Sequence, residues 1–446
     1  MPVKSMQSSR PKAPAAKAAR RSMKIAYMMS RFPKISETFI LFEILEQERL
    51  GHTVEVFPLL REHQPVTHPE AERITARAHF HPFISLPIIF ANVVFLFKKP
   101  LTYCKTLFEV LGGTLGSTNF LLGALMYFPK AVRFAHEMQQ LGIEHIHAHF
   151  CNHPAVVALI IHRLTGIPYS FTAHGSDLHK DKRMLDKKVA AAAFAVTVSN
   201  FNKGEMVKAC GDGLRDKIHI IHCGIDSEVF LPVEKKKGRG PLRIICVASY
   251  EEVKGHKYLV EACRLLRERR IDFVCDLIGD GPVREQVAKQ IAALNLQDKV
   301  IIHGSRKRQE VADMMRAADV KVLASVPTAE GKREGVPVVI MEAMATGLPV
   351  ISSQLSGIPE LVDDGRTGIL VQPGDTNALT DALQKLYENP TLRFNMGRAG
   401  REKVLREFNM KINVEQLANL FDPGPKRENV LQPSVNGRVK RSKKNE

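Results

Sequence analysis

No apolar run in this chain reaches the ~18 residues that a membrane-crossing helix needs, although 44% of its 446 residues are hydrophobic. A transmembrane span is therefore not expected. The seven cysteines (104, 151, 210, 223, 246, 263 and 275) include no C-x-x-C pair. An odd count, partly within apolar runs such as Ile244-Ile245-Cys246-Val247, reads as reduced, buried thiols of a cytosolic protein. Acidic residues are missing from the first 24 positions. No G-x-G-x-x-G follows the first apolar run of either half, which argues against a dinucleotide dehydrogenase.

Charge is plentiful but uneven. The formal net charge is +17, yet Lys4, Arg10, Lys12, Lys17, Arg20, Arg21 and Lys24 stand in an acid-free N-terminus. Residues 424–446 carry seven further basic side chains against Glu428 and Glu446. The body between is only mildly basic. Residues 1–22 and 422–446 are expected to be disordered basic tails, too poor in apolar surface to offset ordering entropy. This distribution weakens nucleic acid as a partner and favours an anionic membrane surface, where each Lys or Arg adds ~1 kcal/mol. The stretch Phe83–Phe97, broken by Pro87 and Asn92 and followed by Lys98-Lys99, reads either as a core helix or as a membrane-surface helix.

From Met23 the pattern alternates strand-like and helix-like segments. Apolar runs at 24–29, 53–60, 143–149, 168–173, 194–199 and 217–222 alternate with helical periodicity at 37–50, 154–164, 180–193 and 200–210. The Pro-, Gly- and charge-rich segment 231–240 reads as a linker. A second series follows, with strands at 242–247, 272–278, 299–303, 319–324, 348–352 and 368–371. Its helices are expected near 256–270, 283–294, 308–317, 337–346 and 375–388. This rhythm predicts an α/β chain of two doubly wound, Rossmann-like domains, 23–230 and 241–400, facing each other across a cleft. Residues 401–421 have helical periodicity.

The most informative segment runs from Glu334 through Gly335-Val336-Pro337-Val338 to Glu342. Pro337 suits a first helical turn, and Gly335 lets the backbone approach a ligand. Free amides there would meet sugar hydroxyls or phosphate. Eight residues at ~1.5 Å each place the two acids about 12 Å apart, beyond the ~5–9.5 Å of a paired-carboxylate hydrolase. Spacing alone equally allows a solvated first-turn Glu and a chance second one.

The wider sequence resolves this. Glu334 to Glu342 resembles the E-x7-E motif of retaining GT-B enzymes of glycosyltransferase family 4. The likeness continues through 343–351, Gly357-Ile358-Pro359-Glu360-Leu361-Val362, Gly365–Val371 and Pro373-Gly374-Asp375. It also covers Cys223-Gly224-Ile225-Asp226 and Lys254-Gly255, so it spans roughly 23–421. Ser36-Glu37-Thr38-Phe39 and His147-Ala148-His149-Phe150 resemble the branch acting in bacterial exopolysaccharide, colanic-acid-like, synthesis.

The resemblance implies retaining transfer of a hexose from a nucleotide-diphosphate sugar to a glycan or lipid-linked hydroxyl acceptor. It implies no cofactor. Glu342 would hold the ribose hydroxyls; Glu334 and the amides around Gly335, Val336 and Val338 would meet the donor sugar. Lys254 would neutralise the departing diphosphate, and His174, after the strand 168–173, would reach the reacting centre. Residues 401–421 would cross back onto the first domain. Ser249 stands where such enzymes commonly carry an Arg, with Arg306 or Arg333 as candidate replacements. The loop from Arg31 to Thr38 would lie under the diphosphate and acceptor, with Ser36 as N-cap of the next helix and Glu37 in its first turn. His145, His147, His149, His153 and Cys151 suggest zinc ligands, but same-face residues of one strand do not converge on a tetrahedral ion. Asp363-Asp364 reads as a turn rather than a metal-binding pair. Other GT-B chemistry (epimerase or phosphorylase) and polyanion binding through the tails are the rival readings.

Overall fold

The computed structural model describes residues 21–34, 37–62, 69–179, 181–225, 228–232 and 240–422. Two six-stranded sheets carry the fold. The first is built from β1 (Lys24–Phe32), β2 (Thr53–Arg61), β3 (His145–His149), β4 (Tyr169–Ala173), β5 (Phe194–Thr197) and β6 (Ile218–Ile220), in the order β2-β1-β3-β4-β5-β6. The second contains β7 (Leu242–Val247), β8 (Phe273–Ile278), β9 (Val300–Gly304), β10 (Val320–Leu323), β11 (Val350–Ser353) and β12 (Gly368–Val371), in the order β12-β11-β10-β7-β8-β9. Every strand pair is parallel. The expected doubly wound α/β architecture is what forms. In the second sheet the strand order reverses between β7 and β10, the crevice where such sheets bind ligands.

Strand alternation sorts the first lobe into two cores. Ala26 and Met28 of β1 face the cluster that holds Phe134, Ile146 and Leu159. Ile25, Tyr27 and Met29 face the other side, against Ile40, Val54, Leu417 and Phe421, as a period of two requires. Leu417 and Phe421 belong to the last described helix, Met410–Phe421. The chain therefore returns from the second sheet to finish the first lobe's core. Phe421 packs on the rings of His145, His147 and Phe194, with centroids 5.0, 5.4 and 5.9 Å away. The outgoing and returning strands of this crossing lie side by side: Ile225 donates to the Phe408 carbonyl, and Met410 donates back to the Ile225 carbonyl.

Several elements differ from the sequence expectations. Residues between β2 and β3 form four helices, Pro69–Ala76, Leu86–Lys98, Pro100–Thr114 and Thr118–Leu141, where only 83–97 had a helical reading. The helix expected over 180–193 shrinks to Leu185–Ala191. Asp181 accepts the Arg183 amide, and Met184 has φ +56°, so a local turn replaces the first helical turn. Glu37 is itself the N-cap of the helix Thr38–Arg49 and makes no side-chain cap bond. Ser36 lies outside the described residues, as do both tails and most of the 231–240 linker. Of the cysteines, 151, 246, 263 and 275 are buried, whereas Cys104 is exposed.

Removing the ring that closes the crossing tests this packing. Phe421→Ala should destabilise the first lobe by about 3–5 kcal/mol, read as an earlier urea transition by circular dichroism. An unshifted transition would mean that the returning helix contributes no core.

Candidate functional site

The site forms where β7 and β10 diverge. Beyond β7, Glu252–Lys254 makes one tight helical turn, and Gly255 follows at φ +67°. A Cβ there would collide with the carbonyl of Ala324, just past β10. The Lys254-Gly255 dipeptide therefore exists to press this turn against the end of β10. It brings Lys254 Nζ to 2.5 Å from Glu334 Oε2, which also faces Ser325 Oγ at 3.5 Å.

Glu334 stands on the loop before the helix Val338–Ala345. Pro337 is the N-cap of that helix rather than a first-turn residue, with φ −71° and ψ 120°. Helical rise thus spans only Val338 to Glu342, and the 12 Å separation derived for a continuous helix does not apply. The Ile340 amide donates to the Pro337 carbonyl, whereas the amide of Val338, at the start of the first turn, has no acceptor within the helix. Val336 is buried, and Val336 and Gly357 touch closely enough that a Cβ on Gly357 would meet Val336 Cγ2 at 2.7 Å.

Gly335 is where the lobes meet. A Cβ at this position would stand 2.5 Å from the His174 carbonyl oxygen. Gly175, at φ +113°, faces Gly335 Cα in return. A second contact lies nearby. The Glu360 carboxylate accepts from the amides of Asn200 and Phe201 (2.8 and 2.9 Å) and from the Asn200 side chain. One lobe thus supplies a carboxylate to the exposed N-terminus of a helix in the other.

His174 contributes its backbone to that junction, but its ring turns into the first lobe. Nε2 lies 3.0 Å from His149 Nδ1 and Nδ1 3.8 Å from Cys223 Sγ, with the Phe39 ring 4.6 Å away. Burial drives its basicity well below the ordinary value, with His149 adding to the effect. The ring is held as a neutral group, and what it shows to Gly335 is a carbonyl.

Glu342 lies half-buried on the helix. Burial pushes its carboxyl up to about 7, against the opposing influence of Arg308 and Lys321. Neither cation figured in the sequence reading. Lys321 is fully buried on β10, donates to the Val247 carbonyl at 3.0 Å, and is drawn down to about 8 by desolvation. Arg308 lies 4.3 Å from the Phe42 ring centroid in the first lobe. A lysine inside the apolar run Val320-Lys321-Val322-Leu323 was the available signal, because a strand buried on both faces has no place for an idle charge.

At the position where an Arg was expected, Ser249 Oγ faces Glu251 Oε1 at 3.2 Å, and Lys332 pairs with the same carboxylate. Arg306 contacts the carbonyl of its neighbour Ser305, and Arg333 acts electrostatically on His179. The cations actually assembled around the switch point are Lys254, Lys321, Lys332 and Arg308.

His145, His147 and His149 do share one face of β3, each buried. His145 and His147 face the Ser170 hydroxyl, and His147 also faces Thr172 Oγ1. Glu43 joins His147 and His149 in one cluster, with ligand-type atoms within 4.8 Å of one another. Tyr27 also donates to Glu43 Oε1. Asp363 pairs with Arg366 and Lys403, and Asp364 accepts the Leu370 amide around a Gly365 turn at φ +73°. That pair is structural.

Two parallel doubly wound sheets meeting across such a crevice define the GT-B class of glycosyltransferase. Residues 36–229 match the family described as Glycosyltransferase Family 4, and residues 230–403 match Glycosyl transferases group 1. A Salmonella typhimurium glycosyltransferase named for colanic acid biosynthesis is 30% identical over 90% of this chain and 99% of its own. The Erwinia amylovora amylovoran biosynthesis glycosyltransferase AmsK is 29% identical over the same shares. The structure of Anabaena Alr3699/HepE in complex with UDP superimposes with a TM-score of 0.66, at 17% identity, over 90% of this chain and all of that one. The chain belongs to this glycosyltransferase family.

The raised Glu342 carboxyl has a measurable consequence. Without ligand, the folded protein keeps this proton up to about pH 7, whereas the unfolded chain releases it in the ordinary carboxylate range. The contribution of Glu342 to stability therefore falls as pH rises through that window and levels off above it. Glu342→Gln should match the parent near pH ~5 and exceed it by up to about 3 kcal/mol near pH ~8 in urea unfolding. A variant less stable at the higher pH would contradict the assignment.

Proposed function

We propose that this glycosyltransferase moves a hexose from a nucleotide-diphosphate sugar to a glycan or lipid-linked hydroxyl, with retention, in exopolysaccharide synthesis. The observation that carries the reading is the Lys254–Glu334 pair beside the free N-terminus of the helix that bears Glu342. The names of the Salmonella and Erwinia relatives support the polymer, and the UDP held by the Anabaena neighbour supports the donor class. The lobe of residues 241–400 takes the donor and that of 23–230 the acceptor. The enzyme works at the inner face of the plasma membrane, with its basic tails drawn to anionic lipid.

Lys254 waits on a carboxylate. An arriving diphosphate replaces Glu334 as its partner and frees Glu334, with the amides of Val336 and Val338 and the Gly335 backbone, for the sugar hydroxyls. Lys321 and Arg308 add positive field near Glu342, which accepts from the ribose hydroxyls once deprotonated. Ser249 supplies a hydroxyl in place of a second cation. The bond from the anomeric carbon to the diphosphate oxygen breaks as the acceptor oxygen bonds on the same face. The acceptor proton passes to the departing phosphate oxygen, whose charge Lys254 stabilises. His174 serves through its carbonyl and the shape of the 174–175 turn.

Lys254→Ala should lower kcat by about 10²–10³-fold, and Glu342→Ala should weaken nucleotide-sugar binding by at least about tenfold. Calorimetry and turnover across a panel of nucleotide sugars read both. Proton NMR of the new glycosidic linkage reads retention. Unchanged donor binding by Glu342→Ala removes the ribose role, and an inverted product removes the retaining mechanism.

A further inference from the structure

The three helices Leu86–Lys98, Pro100–Thr114 and Thr118–Leu141 stack outward from the first sheet with an inverted exposure pattern. In the first of them Ile88, Ala91 and Phe95 pack inward, while Phe90, Val93 and Phe97 point to solvent. Phe97 is 81% exposed, Leu101 87% and Phe108 71%. A helix on the surface of a water-soluble protein places polar residues on that face. Patches of exposed apolar side chains on this scale mark an interaction surface.

Charge identifies the occupant. From Arg73 to His136 the sequence holds a single acid, Glu109, and that carboxylate is engaged by Arg163 at 3.1 and 3.2 Å. Lys98 and Lys105 are exposed among the apolar side chains. Arg183 caps the far end of the second helix by donating to the carbonyls of Leu115 and Gly116. Beside it lies a recess of ≈440 Å³ lined by Gly113, Lys182, Arg183 and Lys187, with Asp181 and Asp186. A positive rim repels both a second copy of itself and this chain's own basic termini, and it attracts an anionic partner. The first two helices together are apolar enough for a bilayer interior, but they bend by 114° at their junction. That bend makes a wedge that lies in an interface rather than a span.

We infer that this face seats the enzyme on an anionic lipid bilayer, with the apolar side chains in the acyl boundary and Lys98, Lys105 and Arg183 at the headgroups. The inference builds on the proposed transfer to a lipid-linked acceptor, because it would hold the acceptor lobe at the surface that carries that substrate. Membrane seating is nevertheless measured without donor or acceptor. Its failure leaves sugar transfer standing, and a failure of sugar transfer leaves the docking face standing.

The test uses the full chain with phosphatidylglycerol-containing vesicles, and with phosphatidylcholine vesicles for comparison, at low and high salt. High salt screens the tails and leaves apolar seating. The wild type should still sediment with the anionic vesicles at high salt, and Phe97→Glu/Leu101→Glu should bind at least about tenfold more weakly. Phe394→Glu, at an exposed ring in the second lobe, should bind as the wild type does. The chain contains no Trp, so Leu101→Trp supplies a lone indole whose emission should shift to the blue and be quenched by brominated lipid. The inference is overturned if the double-Glu variant, folded by circular dichroism, binds as well as the wild type. It is equally overturned if the indole stays in water, or if the double substitution abolishes self-association rather than vesicle binding.

Discussion

Two backbones touch where the lobes of this enzyme meet: the His174 carbonyl and the adjacent Gly175 both lie against Gly335. Neither Gly335 nor Gly175 can carry a side chain there. The contact places the end of β4 directly over the loop that holds Glu334, so the jaws of the cleft register on main chain, whose position is set by the sheets. Glu360 reinforces that register by capping the helix Asn200–Cys210 across the gap. The chain crosses between the lobes elsewhere, where Ile225 pairs with the 408–410 segment.

Electrostatics then prepares the crevice. Lys254 and Glu334 satisfy one another in the absence of ligand, which avoids the cost of leaving either charge desolvated and alone. Lys321 and Glu342 are treated differently: burial pushes both toward their neutral forms, to about 8 and about 7. A diphosphate restores the full charge of a nearby lysine, because an added anion favours the protonated amine. An arriving polyanion would strengthen the positive field that Lys254, Lys321, Lys332 and Arg308 already set up in the crevice. This permits a lobe of nearly balanced charge to hold several cations at one point.

The sequence made much of this legible, for identifiable reasons. Twelve strands and the segment from Glu334 to Glu342 announce themselves through β-branched runs, a Pro and glycines at positions where backbone geometry demands them. Gly255 and Gly335 are such positions, and both prove to face a carbonyl oxygen at a distance that no Cβ permits. What escaped was whatever depends on direction in space. His174 follows a strand that points into the cleft, yet its ring turns back toward His149 and Phe39. Arg308 opens a helix distant in sequence and reaches the ring of Phe42 in the other lobe. The helices Pro100–Thr114 and Thr118–Leu141 escaped because their apolar residues cover both faces, so no amphipathic period stands out.

Three buried lysines follow one rule that no periodicity displays. Lys130 donates to the carbonyl of Leu59 on β2, Lys188 to that of Cys151 just past β3, and Lys321 to that of Val247 at the end of β7. Each cation sits near the carboxyl end of a parallel strand, where carbonyls lose their ladder partners and the chain turns toward a ligand crevice. An apolar residue there would leave the carbonyl to water, and water cannot enter a packed interior without a polar cavity to hold it. A lysine satisfies the carbonyl and keeps a proton that a ligand can feel. At β2 and β3 the cations lie deep in the first lobe's core. At β7 the same arrangement stands beside Lys254 and Glu342, so a device that completes the fold elsewhere becomes part of the crevice proposed for the donor by its position on the sheet.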